Sequence, residues 1–183
     1  MKKSLLILTF ALFVCVGTKA QTFKLTPEGF VSVADPAKNY AVFEYSGKNA
    51  AELYKSSLLY FNAFYVSPKD VISTVEGESI TINGFSEKTV RQNGTATPFD
   101  INYTITFLFK DGKIRINSPS FNATTGLRKM YLVYTGFSMD GTEIGVYGKG
   151  GKVKLEKAIE DLENFFNVYI DKYNKGISTK SDW

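Results

Sequence analysis

Residues 101–117 constrain the fold more than any other stretch of this chain. Ile101, Tyr103, Ile105, Phe107 and Phe109 alternate with Asn102, Thr104, Thr106, Leu108 and Lys110. Asp111-Gly112 follows, and Ile114 and Ile116 then alternate with Lys113, Arg115 and Asn117. Successive strand side chains point to opposite faces, and Asp-Gly between two such runs is a strong hairpin signal. The pattern predicts an antiparallel hairpin with one apolar and one polar face. Such a sheet needs cover on its apolar side only, so the rest of the chain must supply one layer.

Two helical segments can form that layer. Asn49 opens the first, with Glu52 at the third helical position to complete a capping box. Leu53, Tyr54, Leu58, Phe61, Phe64 and Tyr65 recur at three- and four-residue steps, and Ser67-Pro68 closes the helix. In the second, Leu155, Ile159, Leu162, Phe166, Tyr169, Ile170 and Tyr173 trace one apolar stripe. Glu156, Glu160, Asp161 and Glu163 lie in its first half and Lys172 and Lys175 in its last turns, complementing the helix dipole. Gly176 reads as its C-terminal stop. Further strands are predicted at 30–33, 40–45, 71–75 and 79–85. A second hairpin is predicted from 130–137 and 142–147 around Asp140-Gly141, within the glycine-rich segment 126–151. The fold class is therefore α+β: an antiparallel sheet of five to seven strands, with a mid-chain helix and a long C-terminal helix packed on one face. An aromatic content of 15% suits that thick layer.

The N-terminus reads as an export signal. Lys2 and Lys3 precede an uncharged, mostly apolar run at 5–16, followed by Thr18-Lys19-Ala20 and Gln21. The run falls short of the ~20 residues that span a bilayer, and no membrane span is expected once it is removed. The expected organisation is a signal peptide over 1–20, cleaved between Ala20 and Gln21, one domain over 21–176 and a polar tail over 177–183. The mature chain is then exported, periplasmic or extracellular. Cys15 follows Leu12-Phe13-Val14, where a lipoprotein signal needs small residues, so no lipid anchor is expected there. Without Cys15 the mature chain has no cysteine and forms no disulfide. The signal also removes three of the 22 basic residues and none of the 18 acidic ones, leaving 19 against 18. A nucleic-acid partner loses its compositional support. The chain has no histidine, which excludes Ser-His-Asp and Cys-His chemistry and the usual zinc ligands. No catalytic residue, cofactor or metal is assigned, and the expectation leans against an enzyme.

A family resemblance rests on three segments. Tyr-Ala-Val-Phe-Glu-Tyr-Ser-Gly-Lys at 40–48 leads into Ala-Glu-Leu-Tyr at 51–54. Val-Glu-Gly-Glu-Ser-Ile-Thr-Ile-Asn-Gly-Phe occupies 75–85, and Tyr-Thr-Ile-Thr-Phe-Leu-Phe-Lys-Asp-Gly-Lys-Ile-Arg occupies 103–115. Together these resemble a family of exported Bacteroidota proteins known as a domain of unknown function with a TBP-like fold. The similarity covers roughly residues 40–120 and implies a curved sheet backed by helices. The family brings no catalytic residues to carry over, and a TBP-like shape does not imply DNA binding.

Alternation places Ser79, Thr81, Asn83, Asn102, Thr104, Thr106 and Arg115 on the polar sheet face, away from the helices. Hydroxyls and amides with one Arg suit a glycan, a peptide or an acidic group. Threonine is also favoured in strands for its own propensity, so a merely solvated face explains the same residues. Glu76 and Glu78 flank Gly77 and imitate a carboxylate pair, but at a turn they read as solvated. Gly148-Lys149-Gly150-Gly151-Lys152 lacks the spacing of a phosphate loop and reads as a flexible lead-in to the last helix. Asn93, Asn102 and Asn122 begin N-x-Thr sequons that carry no expectation in a bacterial envelope. Three functions follow. The first is a non-enzymatic envelope domain binding an unknown protein or glycan through its open face or a sheet edge. The second is a carrier of an apolar ligand in a void lined by Phe107, Phe109, Phe166 and Tyr169, which a solid interior removes. The third is a carboxylate-dependent hydrolase of envelope polymers, which needs two facing acids in a cleft.

Overall fold

The computed structural model describes residues 21–93 and 97–178. The predicted signal 1–20 with Cys15 and the tail residues 179–183 lie outside them. The central hairpin forms as the alternation requires. Strand β6 (Phe99–Lys110) turns through Asp111 and Gly112 into β7 (Lys113–Asn117), pairing Phe107 with Ile116 and Phe109 with Ile114. Gly112 takes φ +68°, a left-handed conformation that glycine adopts without steric cost. On the other side of β6 lies β5 (Ser79–Val90), with Ile80 opposite Phe107 and Ile82 opposite Ile105. It extends past Phe85, where the apolar alternation ends, through a register shift between Ser86 and Val90. The Asp100 carboxylate stabilises that irregular stretch by accepting from the Lys88 backbone N–H at 2.7 Å. Strand β4 (Ile72–Val75) forms the sheet edge beside β5.

Because β6 is long, β7 covers only its C-terminal half. Strand β8 (Ser120–Thr125) pairs with the N-terminal half, Tyr103 opposite Phe121. The sheet forks there. One branch adds β3 (Tyr40–Glu44) to β7; the other adds β9 (Arg128–Val133) and then β10 (Glu143–Tyr147) to β8. A separate ribbon of β1 (Phe23–Thr26) and β2 (Gly29–Ser32) places Phe30 against Phe121, with ring centroids 6.2 Å apart. Among the described residues the main sheet therefore has eight strands where five to seven are expected.

The predicted hairpin around Asp140-Gly141 does not form. Strand β9 turns back from β8, with Thr125 opposite Arg128, and β10 lies parallel to β9, with Ile144 opposite Met130 and Tyr147 opposite Val133. Asp140 explains the difference. Its carboxylate accepts from the Thr142 hydroxyl at 2.7 Å, the Thr142 N–H at 3.1 Å and the Ser138 hydroxyl at 2.8 Å. Those bonds hold its pKa down to about 2 and fold residues 138–142 into a local turn rather than a two-strand loop.

The first helix, α1 (Ala50–Phe64), starts at the predicted capping box. The Asn49 Oδ1 accepts from the Glu52 N–H at 2.9 Å, and Glu52 Oε2 accepts from the Asn49 N–H at 2.8 Å. Ser67-Pro68 does more than close it, because Pro68 opens a short second helix, α2 (Pro68–Val71), from the position where its missing N–H costs nothing. The long helix α3 (Glu156–Ser178) continues past Gly176, correcting the predicted stop, and Ile177 is buried. A Cβ at 176 would sit 2.3 Å from the Tyr60 ring, so close helix packing is what glycine permits there.

Helices α1 and α3 pack on the apolar face, where Ile80, Ile105, Phe107, Ile114 and Ile116 are fully buried with Leu53, Phe61, Phe166 and Tyr173. Phenol hydroxyls in this layer have partners, as buried polar groups require. Tyr65 bonds Tyr169 at 2.8 Å and Tyr103 at 3.2 Å, and Tyr45 donates to Asn174 Oδ1 at 2.8 Å. Burial pushes Tyr45 up to about 12 and raises Tyr65, Tyr103, Tyr169 and Tyr173 above the ordinary tyrosine value. The folded chain thus keeps protons that the unfolded chain releases. This contribution to stability is complete below about pH 10 and is lost as pH rises through the folded values. Urea midpoints are expected to hold from about pH 8 to 9 and to fall steadily above about pH 10. A midpoint unchanged at about pH 11 would contradict the account.

Candidate functional site

The outer sheet face, opposite the helices, carries the predicted polar residues. Register places Thr81 beside Thr106, Asn83 beside Thr104, and Asn102 between Phe85 and Asn122. The Thr81 and Thr106 hydroxyls bond at 3.1 Å, and Thr104 Oγ1 donates to Asn83 Oδ1 at 3.0 Å. The face therefore brings Thr81, Asn83, Asn102, Thr104 and Thr106 into one patch on β5 and β6, partly bonded within itself. A depression of about 370 Å³ opens there among Asn83, Phe85, Asn102, Thr104, Ser120 and Asn122.

Arg115 stands in a second depression of the same face, of about 310 Å³, with Tyr40, Val42, Leu108, Lys110 and Lys113. Its guanidinium lies 3.8 Å above the Tyr40 ring, and its Nε donates to Asn117 Oδ1 at 2.9 Å. Lys113 pairs with Glu44 at 3.0 Å. Sequence reasoning missed Ser120 and Asn122, because β8 has too few apolar positions to announce a strand. It had Lys110 and Lys113 on the polar side of the hairpin but no sign of the β3 partner that makes a depression of them. A third cleft, of about 630 Å³, occupies the fork of the sheet beside Phe30, Ser118, Pro119, Phe121 and Leu132.

The other sequence candidates are structural. Glu76 and Glu78 sit exposed at the β4–β5 turn, where Gly77 takes φ +73°. The Gly148 N–H donates to the Lys152 carbonyl at 2.8 Å, which makes 148–152 a tight turn; α3 begins only at Glu156. Asn93 reaches across to the start of α3, accepting from the Lys157 N–H at 3.1 Å. Asn102 and Asn122 lie within β6 and β8. Where the carrier reading requires a void, rings pack in contact: Phe107 to Tyr173 at 4.6 Å, Phe30 to Phe166 at 5.1 Å and Tyr103 to Tyr169 at 6.1 Å. Among the acids of α3, Asp161 accepts from Arg91 Nε and the Arg91 N–H, both at 2.8 Å. Burial raises its carboxyl, but those bonds and the Arg91 charge outweigh burial and hold it below the usual carboxylate range. Glu163 accepts from the Leu25 N–H and the Gln21 amide, each at 2.8 Å. Among the described residues, no group of three or more Asp, Glu, His or Cys side chains converges as a metal requires. No described helix is long and apolar enough to cross a membrane.

No curated protein matches the chain. The chain is similar to a TBP-like protein from Parabacteroides distasonis, with a TM-score of 0.55 at 10% identity, covering 76% of this chain and 91% of that one. It also aligns with a DUF4468 family protein from Bacteroides ovatus, with a TM-score of 0.47 at 14% identity, covering 76% of this chain and 82% of that one. At such identity the first likeness speaks for the fold alone. Residues 40–123, which run from β3 to the middle of β8, match the family described as a domain of unknown function (DUF4468) with TBP-like fold. Residues 40–123 thus match that family, and the chain has a TBP-like fold: among the described residues, an eight-stranded, mostly antiparallel sheet with a long C-terminal helix.

Proposed function

We propose that this protein is an exported, non-enzymatic binding domain of the cell envelope, which takes a partner protein or glycan on its outer sheet face. The observation that carries the reading is the face itself: a sheet covered by helices on one side only, with hydroxyls, amides and two depressions on the other. Concave ground lined by a few convergent polar groups is what a binding face offers a partner. Export is supported by Lys2 and Lys3, the apolar run behind them and the Ala20/Gln21 junction. A nucleic-acid partner is not proposed, given 19 basic against 18 acidic residues after residue 20.

The test is native mass spectrometry on the protein purified gently from its own envelope. The expected species begins at Gln21 and carries a reproducible bound mass. A chain beginning at Met1 in the cytoplasmic fraction would remove the export reading. Asn83→Arg combined with Asn102→Arg is expected to abolish the bound mass while leaving the thermal midpoint within about 2 °C, as exposed substitutions do. Retention of the bound mass by that folded double variant would remove the Asn83–Asn102 depression as the site.

A further inference from the structure

Strand β3 is an edge. It pairs with β7 on one side, and among the described residues no strand pairs with the other. Bonds at the two ends of that ladder fix which backbone groups face outward. Ser118 N–H donates to the Asn39 carbonyl at 2.8 Å, and Tyr45 N–H donates to the Gly112 carbonyl at 2.7 Å. In an antiparallel pair, alternate residues bond the same neighbour. Ala41 and Phe43 therefore bond β7, and the N–H and C=O groups of Tyr40, Val42 and Glu44 point to the open edge. Their strand is exposed enough to be reached, with Val42 at 46%.

Space and charge beside this edge are both specific. A cleft of about 360 Å³ runs along it, with Tyr40 and Val42 on one side and Thr22, Ser32 and Ala34 on the other, and the Asp35 carboxylate that also lines it is neutralised by Lys38 at 2.7 Å. A strand added next to β3 would run ~4.8 Å from it. On the outer face, its side chains would emerge beside the depression that holds Lys110, Lys113 and Arg115. Arg115 belongs to β7, but its guanidinium lies 3.8 Å above the Tyr40 ring, which carries the charge across to the edge strand. Glu44 offsets only one of those three cations, by its ion pair with Lys113.

We infer that β3 takes up an extended acidic peptide of a partner protein as an added strand. Backbone groups of the peptide bond Tyr40, Val42 and Glu44, and its outward carboxylates pair with Arg115 and the neighbouring lysines. Strand addition draws affinity from main-chain bonds and specificity from alternate side chains, and this edge offers both. A glycan cannot supply alternating N–H and C=O groups at strand spacing, so the edge selects a peptide. The inference rests on reading the protein as a binding domain and names the class of partner.

The test uses fluorescence anisotropy with the protein purified from its own envelope and a labelled peptide of alternating Glu and Val, about ten residues long. A Lys-Val peptide of the same length is the control. The Glu-Val peptide is expected to bind, the Lys-Val peptide to bind at least about tenfold more weakly, and added salt to weaken the Glu-Val complex. Val42→Pro removes an outward N–H, which edge strands tolerate, and is expected to weaken binding about tenfold or more. Arg115→Glu is expected to do the same. A Glu-Val peptide N-methylated at alternate residues tests the backbone bonds without altering the protein, and is expected not to bind. Equal binding of the two peptides, no binding of Glu-Val, or full binding of the N-methylated probe would each overturn the inference. If the envelope partner is lost with Asn83→Arg and Asn102→Arg but kept with Val42→Pro, the binding-domain reading stands and the β3 edge is wrong.

Discussion

Tyr173→Ala is expected to lose about 4 kcal/mol of stability, in the range of buried aromatic truncations. Tyr173 is fully buried, with its ring stacked on Phe61 at 5.1 Å and an interplanar angle of 3°, and 4.6 Å from Phe107. It joins α3 to α1 and to the sheet, so the void left by alanine would face three elements that cannot all move in. Its hydroxyl bonds Ser57 Oγ at 2.7 Å, and Ser57 in turn donates to the Leu53 carbonyl at 2.7 Å. Tyr173→Phe keeps the ring and leaves Ser57 that second partner, so its expected loss is only about 1 kcal/mol. Of a total stability of roughly 5–15 kcal/mol, the alanine variant removes a large part. Urea unfolding of both variants measures the contrast. A loss below about 2 kcal/mol for Tyr173→Ala would show that the stack is not central to the fold.

Local rules reached the parts of the fold that local residues determine. The β6–β7 hairpin, the Asn49–Glu52 capping box and the apolar stripe of α3 depend on neighbours within a few residues, and each forms as expected. Elements set by distant partners were hidden. β8 buries one side chain, Ala123, and is held by its pairing with the N-terminal half of β6, so its own pattern is faint. Asp140-Gly141 has hairpin chemistry, yet Ser138 and Thr142 occupy the Asp140 carboxylate and the strands meet in parallel. Gly176 has the chemistry of a helix stop, but its lack of a side chain serves the Tyr60 ring. The candidate site divides in the same way. Period-two alternation put Thr81, Asn83, Asn102, Thr104 and Thr106 on one face. The second depression and the open edge of β3 come from strand order, which alternation does not encode.

Gly84→Ala is expected to destabilise by about 3 kcal/mol, where replacing a strand glycine by alanine ordinarily gains roughly 0.5–1 kcal/mol. Gly84 lies on the core face of β5 opposite Tyr103, whose ring crosses directly over it. A Cβ there would sit 2.2 Å from Tyr103 Cζ and 2.4 Å from its hydroxyl. The ring cannot swing aside freely, because Phe165, Phe166 and Tyr169 pack against it with centroids 5.3, 5.8 and 6.1 Å away. Any shift also lengthens the 3.2 Å bond between the Tyr103 and Tyr65 hydroxyls. Overpacking costs about 1–3 kcal/mol and a weakened buried hydrogen bond about 1 more, which together reverse the usual sign. The reversal depends on the ring, so it should vanish without it. In a Tyr103→Ala background, Gly84→Ala is expected to be neutral or stabilising, giving a coupling above about 2 kcal/mol in the double-mutant cycle. Denaturant unfolding of the four proteins measures that coupling. A neutral Gly84→Ala in the parent chain would mean that the ring yields without cost, and that glycine at 84 serves some purpose other than making room for Tyr103.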